Sequence, residues 1–118
     1  MIQIPVFQDK SSKFKQEIIL GGRLLEIILR WNIRCNCWYM DVADVETGDA
    51  ISGLKLVEDW LLIRQYRATV PNFSGDFIVK NIEGVQTELT YDNLGNGFYL
   101  YYVTDDEGDA WEEANGVG

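Results

Sequence analysis

Hydrophobic and polar residues alternate with a period of two across residues 21–41, GGRLLEIILRWNIRCNCWYMD. Leu25, Ile27, Leu29 and Trp31 fall on every second position, and after a polar stretch over residues 32–36 the spacing returns on Trp38, Met40 and Val42. This pattern predicts an antiparallel hairpin with one apolar face. The other face of its first strand is mixed, Leu24 and Ile28 alternating with Glu26 and Arg30, so that face is partly covered as well. The alternation extends to both sides. Phe14, Gln16, Ile18 and Leu20 share one face of a preceding strand, and Gly21-Gly22 supplies the positive φ angles of a tight hairpin. Glu46-Thr47-Gly48-Asp49 forms the next turn, and the whole predicts a meander of four or five strands.

Outside this meander the pattern is shorter. Ile2, Ile4 and Val6 alternate around Gln3 and Pro5, and the donor that proline lacks places this strand at a sheet edge. Residues 9–12 form a polar turn. Over residues 54–66, LKLVEDWLLIRQY, helical spacing is loose, which favours a strand ending near Val57 and an irregular Trp60-Leu61-Leu62 stretch over a helix beginning there. Pro71-Asn72 and Ser74-Gly75 break the chain, residues 77–79 form a short strand, and residues 81–92 are a polar connection. After the turn at residues 93–97, FYLYYVT has aromatic and β-branched residues on both faces, which predicts a central strand. From Asp105 onward, DDEGDAWEEANGVG has too few apolar residues to fold by itself and is expected to be an exposed tail anchored through Trp111. The expected fold class is all-β, a small single-domain antiparallel β-barrel or β-sandwich built from a meander of hairpins. The all-β domain spans residues 1–104, and residues 105–118 form an acidic, flexible C-terminal tail.

With 118 residues, 47% of them hydrophobic, the chain can bury one core and make one domain. Its formal charge of −9 and pI near 4.3 weigh against nucleic-acid binding as the main task, because neutralising phosphates needs a surplus of Lys and Arg. Lys80 is the last basic residue, so the final third carries the whole net charge. No stretch approaches the roughly 20 apolar residues that cross a bilayer, and MIQIPVFQDK lacks the basic start and apolar run of a leader. A soluble, unprocessed protein is expected. Cys35 and Cys37 stand one residue apart in the hairpin turn, where a disulfide would close a small, strained ring, so reduced thiols and cytoplasmic synthesis are expected.

Candidate chemistry is sparse. Histidine is absent, which removes His-based nucleophilic systems and His-based metal sites together. Two cysteines without further ligands read as incidental thiols rather than a zinc site. The acidic run of Asp105, Asp106, Glu107, Asp109 and Glu112 does not have the spacing of a calcium-binding loop. Among Glu26, Asp41, Asp44 and Glu58 nothing singles out a catalytic carboxylate pair. No phosphate-cradling glycine loop is present either. The reading is a non-enzyme without cofactor or metal. Of the aromatics, Trp31 and Trp38 flank one turn and are expected to pack across the sheet, whereas Trp60 and Trp111 lie in less regular segments. Trp60, Trp111, Tyr99 and Tyr101 are the candidate partner contacts.

Taken in order, several short motifs resemble the small baseplate plug family of contractile-tailed phages. They are MIQIPV at the start, Leu29-Arg30-Trp31-Asn32, then Trp38-Tyr39-Met40-Asp41, a turn over residues 44–49, Ser52-Gly53, and Leu61-Leu62 before Tyr66. Asp92-Asn93-Leu94-Gly95 and Leu100-Tyr101-Tyr102-Val103 complete the series. The match runs from about residue 1 to 104 and rests on order and spacing rather than on any single piece. Cys35, Cys37, the segment around Trp60 and the acidic end depart from it. The resemblance implies an all-β structural virion protein, made in the host cytoplasm and placed at the centre of the tail baseplate. There it would close the tube and hub channel until infection, in contact with hub, spike and tail tube proteins, with no membrane and no sequence-specific nucleic-acid binding. It also suggests that the acidic tail faces the channel, where negative charge repels DNA. The alternative from a different class is a non-catalytic carbohydrate- or peptide-binding β-module that uses the same aromatics.

Overall fold

A computed structural model describes residues 1–6, 13–66, 73–82 and 88–114. The expected polar turn at residues 9–12, the break at Pro71-Asn72 and part of the connection over residues 81–92 lie outside them. The period-two segments form the meander as expected: β2 (Lys13–Leu20), β3 (Arg23–Asn32), β4 (Cys37–Asp44) and β5 (Ala50–Lys55) pair in sequence order as one antiparallel sheet. Gly21 and Gly22, at φ of 60° and 78°, turn the first hairpin where a side chain would be strained. At the β4–β5 turn the buried Asp44 carboxylate accepts the N–H groups of Glu46 and Thr47 at 2.9 and 3.1 Å, satisfying donors that the tight turn leaves over. Between Met40 and Val42 the register with β5 slips. There Asp41 Oδ1 accepts the Gly53 N–H at 2.8 Å, which restores a partner that the irregular ladder would lose.

A second antiparallel sheet contains β1 (Ile2–Gln3), β7 (Phe98–Val103) and β6 (Asp76–Asn81), with β7 central and β1 at an edge, as the sequence indicated. The described strands thus form two sheets and do not close into one barrel. Their inner faces share one core: Leu25, Ile27, Leu29, Trp38, Met40 and Val42 meet Phe77, Val79, Phe98, Leu100 and Tyr102. Trp38 is fully buried, stacks on Tyr91 with ring centroids 5.5 Å apart and meets Trp31 edge-on at 5.5 Å. Its indole N–H donates to the Thr90 carbonyl at 3.1 Å, tying the loop before β7 to the four-stranded sheet.

The 54–66 segment is a strand followed by irregular chain, though β5 ends at Lys55 rather than near Val57. Residues 58–62 then run along the free edge of β6. Asp59 N–H donates to the Val79 carbonyl at 2.9 Å, and Leu62 N–H to the Phe77 carbonyl at 3.0 Å. The segment ends in a 3-10 turn, Arg64–Tyr66. Beneath it lies Asp76, fully buried, whose Oδ1 accepts the N–H groups of Ile63 and Phe77, each at 2.7 Å.

Two expectations need correction. The chain beyond Asp105 is not an extended tail over its described part but a helix, α1 (Asp105–Ala114). Thr104-Asp105-Asp106-Glu107 is a capping box: Glu107 N–H donates to Thr104 Oγ1 at 3.2 Å, and Thr104 N–H to Glu107 Oε1 at 3.0 Å. Three acids in the first turn complement the helix dipole, and tertiary contacts supply the rest. The second correction concerns Cys35 and Cys37, which are joined as a disulfide rather than free. Asn36, at φ 53°, folds the turn so that their Cα atoms are 5.4 Å apart, within the span a disulfide bridges.

Glu107 also pairs with the terminal amine of Met1. That interaction first, and the Thr104 N–H second, hold the Glu107 carboxyl below its ordinary value of 4.5. A depressed carboxylate stabilises the fold above its unfolded pKa, and that contribution is lost as pH falls through the folded one. Glu107→Gln is therefore expected to flatten the fall in stability below about pH 4.5 in thermal unfolding followed across pH. Thr104→Ala is expected to cost about 1 kcal/mol at neutral pH through the lost cap.

Candidate functional site

The outer face of the three-stranded sheet brings the nominated aromatics to one side of the molecule. Strand alternation turns Tyr99, Tyr101 and Val103 of β7 away from the main core, with Lys80 opposite Tyr99 and Ile78 opposite Tyr101. Leu61, Ile78 and Val103 form a small second cluster, against which Tyr101 and Trp111 pack. Trp111 is therefore not in an irregular segment but on α1, on the side that faces this sheet. Tyr99 is half-buried on the same face, beyond the cluster.

Between α1 and the 58–65 segment lies a groove of about 380 Å³ lined by Asp59, Trp60, Leu61, Arg64, Gln65, Trp111 and Glu112. Trp60 is 49% exposed at its wall, a large apolar side chain left to water. Arg64 closes one side: its guanidinium donates to Asp109 at 2.7 Å and pairs with Glu112 at 3.1 Å. These acids lie three residues apart on α1, so one arginine grips one helical face. The Asp109 hydrogen bond is the main reason the Arg64 pKa is raised above its ordinary value. Gly108 permits the close approach, since a Cβ there would stand 2.8 Å from Arg64 Nη2. On the other side Lys80 pairs with Asp59 at 3.3 Å and lies 5.5 Å over the Trp111 ring.

Of the four nominated residues, Trp60 and Trp111 line the groove, Tyr101 packs beside it, and Tyr99 stands apart on the same sheet. Sequence reasoning missed Arg64, Gly108 and Lys80. The available signal was the capping box ahead of two acids at a three-residue spacing, which marks a helix with one face ready for a cation. The carboxylates weighed as a catalytic pair do not converge. Glu26 and Asp41 face outward on the four-stranded sheet, Asp44 is turned inward opposite Leu25, and Glu58 borders β6. Among the described residues, no group of three or more potential ligands is placed to hold a metal ion, and no helix is long and apolar enough to cross a membrane. Among the described residues the arrangement offers an apolar, aromatic contact surface.

No curated protein matches the chain significantly. The family model described as cyanophage baseplate Pam3 plug gp18 matches residues 1–106, nearly the whole chain and all seven strands. The chain thus belongs to this family of phage baseplate plug proteins, structural components of the virion tail and not enzymes.

Proposed function

We propose that this protein sits at the centre of the tail baseplate, closes the channel of tube and hub before infection, and holds to hub, spike or tube proteins through the Trp60–Trp111 groove. The observation that carries the reading is that groove: an apolar concavity with a half-exposed tryptophan at its wall. An aromatic anchor in a preformed groove holds strongly over a small area, and an attachment that breaks when its partner moves suits a closure that must be released. The protein is made in the host cytoplasm and joins the particle there.

The test is mass spectrometry of purified virions together with copurification of the protein with the hub. Presence at low copy with the hub is the expected result, and absence from the particle sinks the proposal. Trp60→Ala is expected to leave the melting temperature nearly unchanged because the side chain is half exposed, while weakening hub retention roughly 30-fold, the size of a hot-spot residue. Unchanged retention would move the docking surface to another face.

A further inference from the structure

The outward face of the four-stranded sheet, on the far side of the molecule from α1, gathers cations into one row across its strands. In register, Lys13 stands opposite Arg30, Arg30 opposite Tyr39, and Tyr39 opposite Lys55, so one row across all four strands holds three cations around a tyrosine. Four residues further along β2 and β3, about 14 Å away, Glu17 stands opposite Glu26. Like charges directly opposite one another across antiparallel strands are destabilising. Exchanging Lys13 and Glu17 alone would turn both pairs into attractive ones. Two attractive pairs offset the repulsion in part, Lys15 with Glu26 at 3.6 Å and Arg30 with Asp41 at 2.8 Å, yet Lys13, Arg30 and Lys55 stay together in one row.

The basic row continues into the β3–β4 turn. A cleft of about 380 Å³ there is lined by Arg30, Trp31, Asn32, Ile33, Arg34 and Tyr39. The turn is braced: Asn32 Oδ1 accepts the Arg34 N–H at 2.9 Å, and the Cys35–Cys37 disulfide spans the side next to β4. It holds an exposed arginine and Ile33, which is 79% exposed, in a fixed setting. Arg30 donates to Asp41 Oδ1 at 2.8 Å, and that same oxygen holds the Gly53 N–H, so the guanidinium is aimed by a fixed carboxylate while donors remain for a ligand.

We propose that this cleft and its basic row bind a compact run of Asp and Glu side chains on another tail protein, with the exposed Ile33 taking an adjoining apolar residue. Two guanidinium groups at one cleft suit carboxylates, which arginine grips through paired N–H donors. A phosphodiester chain fits less well. Running on along the face it would meet Glu17 and Glu26, whereas a compact acidic run stays within the cleft and the row. The net charge of −9 on each chain opposes the approach of a second copy, whose acidic helix would otherwise be a ready occupant. The site lies on the opposite face from the Trp60–Trp111 groove, so its failure leaves the groove proposal standing.

The experiment measures binding of fluorescein-labelled hexaglutamate, hexalysine and an oligothymidylate of the same charge as hexaglutamate, at low ionic strength and again in molar salt. Expected is salt-sensitive binding of hexaglutamate, weakened roughly tenfold by Arg34→Gln combined with Lys55→Gln, whereas hexalysine, drawn to the acidic helix, binds this variant no more weakly than the parent protein. The exchange Lys13→Glu with Glu17→Lys keeps net charge constant, and thermal melting checks that the variant is folded. It is expected to weaken hexaglutamate binding as well. Absence of hexaglutamate binding, or full binding by the folded exchange variant, overturns the proposal. Tighter binding of the oligothymidylate makes the surface a nucleic-acid site and overturns it too. Salt-sensitive dimers in sedimentation, abolished by Arg34→Gln, would make the occupant a second copy and likewise overturn it.

Discussion

Asp76→Ala is expected to destabilise the protein by about 3–5 kcal/mol, because a buried carboxylate that satisfies two backbone N–H groups is removed and both donors are left out of water's reach. For a chain of this size that corresponds to a fall in melting temperature of roughly 10–20 °C. The effect also has a location. Ile63, one of the two donors, lies between Leu61 and Arg64, so the loop losing its anchor is the wall of the groove. Loss of hub retention should therefore accompany the loss of stability. Asp76→Asn keeps an acceptor oxygen and is expected to lose less than half as much. Thermal unfolding by circular dichroism checks both variants, and an unchanged melting temperature for Asp76→Ala would show that the 3-10 turn holds without it.

Trp38→Ala is the second large effect, expected at about 3–5 kcal/mol from the cavity it leaves and the aromatic packing it removes. Trp38 touches both halves of the molecule. It pairs with Trp31 and Phe14 within the four-stranded sheet, and it stacks on Tyr91 and donates to Thr90 in the loop that leads into β7. Trp38→Phe fills most of the volume but cannot donate, and is expected to cost about 1–2 kcal/mol. In urea titrations the midpoints should shift while the slope stays constant, since the surface exposed on unfolding is almost the same. A smaller slope for Trp38→Ala would show instead that the 88–96 loop has detached in the native state.

The meander was legible because alternation is a local signal, repeated every two residues and punctuated by Gly21-Gly22 and Gly48. The aromatic run of β7 likewise announced a strand covered on both faces, and Trp31 and Trp38, which flank one turn, pack across the sheet as expected. Helix α1 was hidden because its composition argues for disorder. What folds it is a capping box plus Arg64, which lies more than 40 residues away in sequence. The disulfide was hidden because a spacing of two looks too tight until Asn36 takes its left-handed conformation. Trp60 and Trp111 could be nominated singly as poorly placed aromatics, but nothing local says they share a groove. The basic row is a product of register alone: Lys13, Arg30 and Lys55 are far apart in sequence and adjacent only once three hairpins have closed.

The two sheets differ in how far the chain must travel to build them. Every pairing in the β2–β5 meander joins neighbours, whereas β1 pairs with β7, Ile2 lying opposite Tyr102. Closing a long loop costs more entropy than closing a hairpin, so near neighbours pair early and distant segments late. On the ribosome the meander can therefore assemble while β7 is still unmade, and the three-stranded sheet must wait for that strand. The Trp60–Trp111 groove needs β6, β7 and α1 together, so an incomplete chain lacks it. Under the two docking roles proposed above, a truncated copy would offer the basic cleft of the meander without the groove.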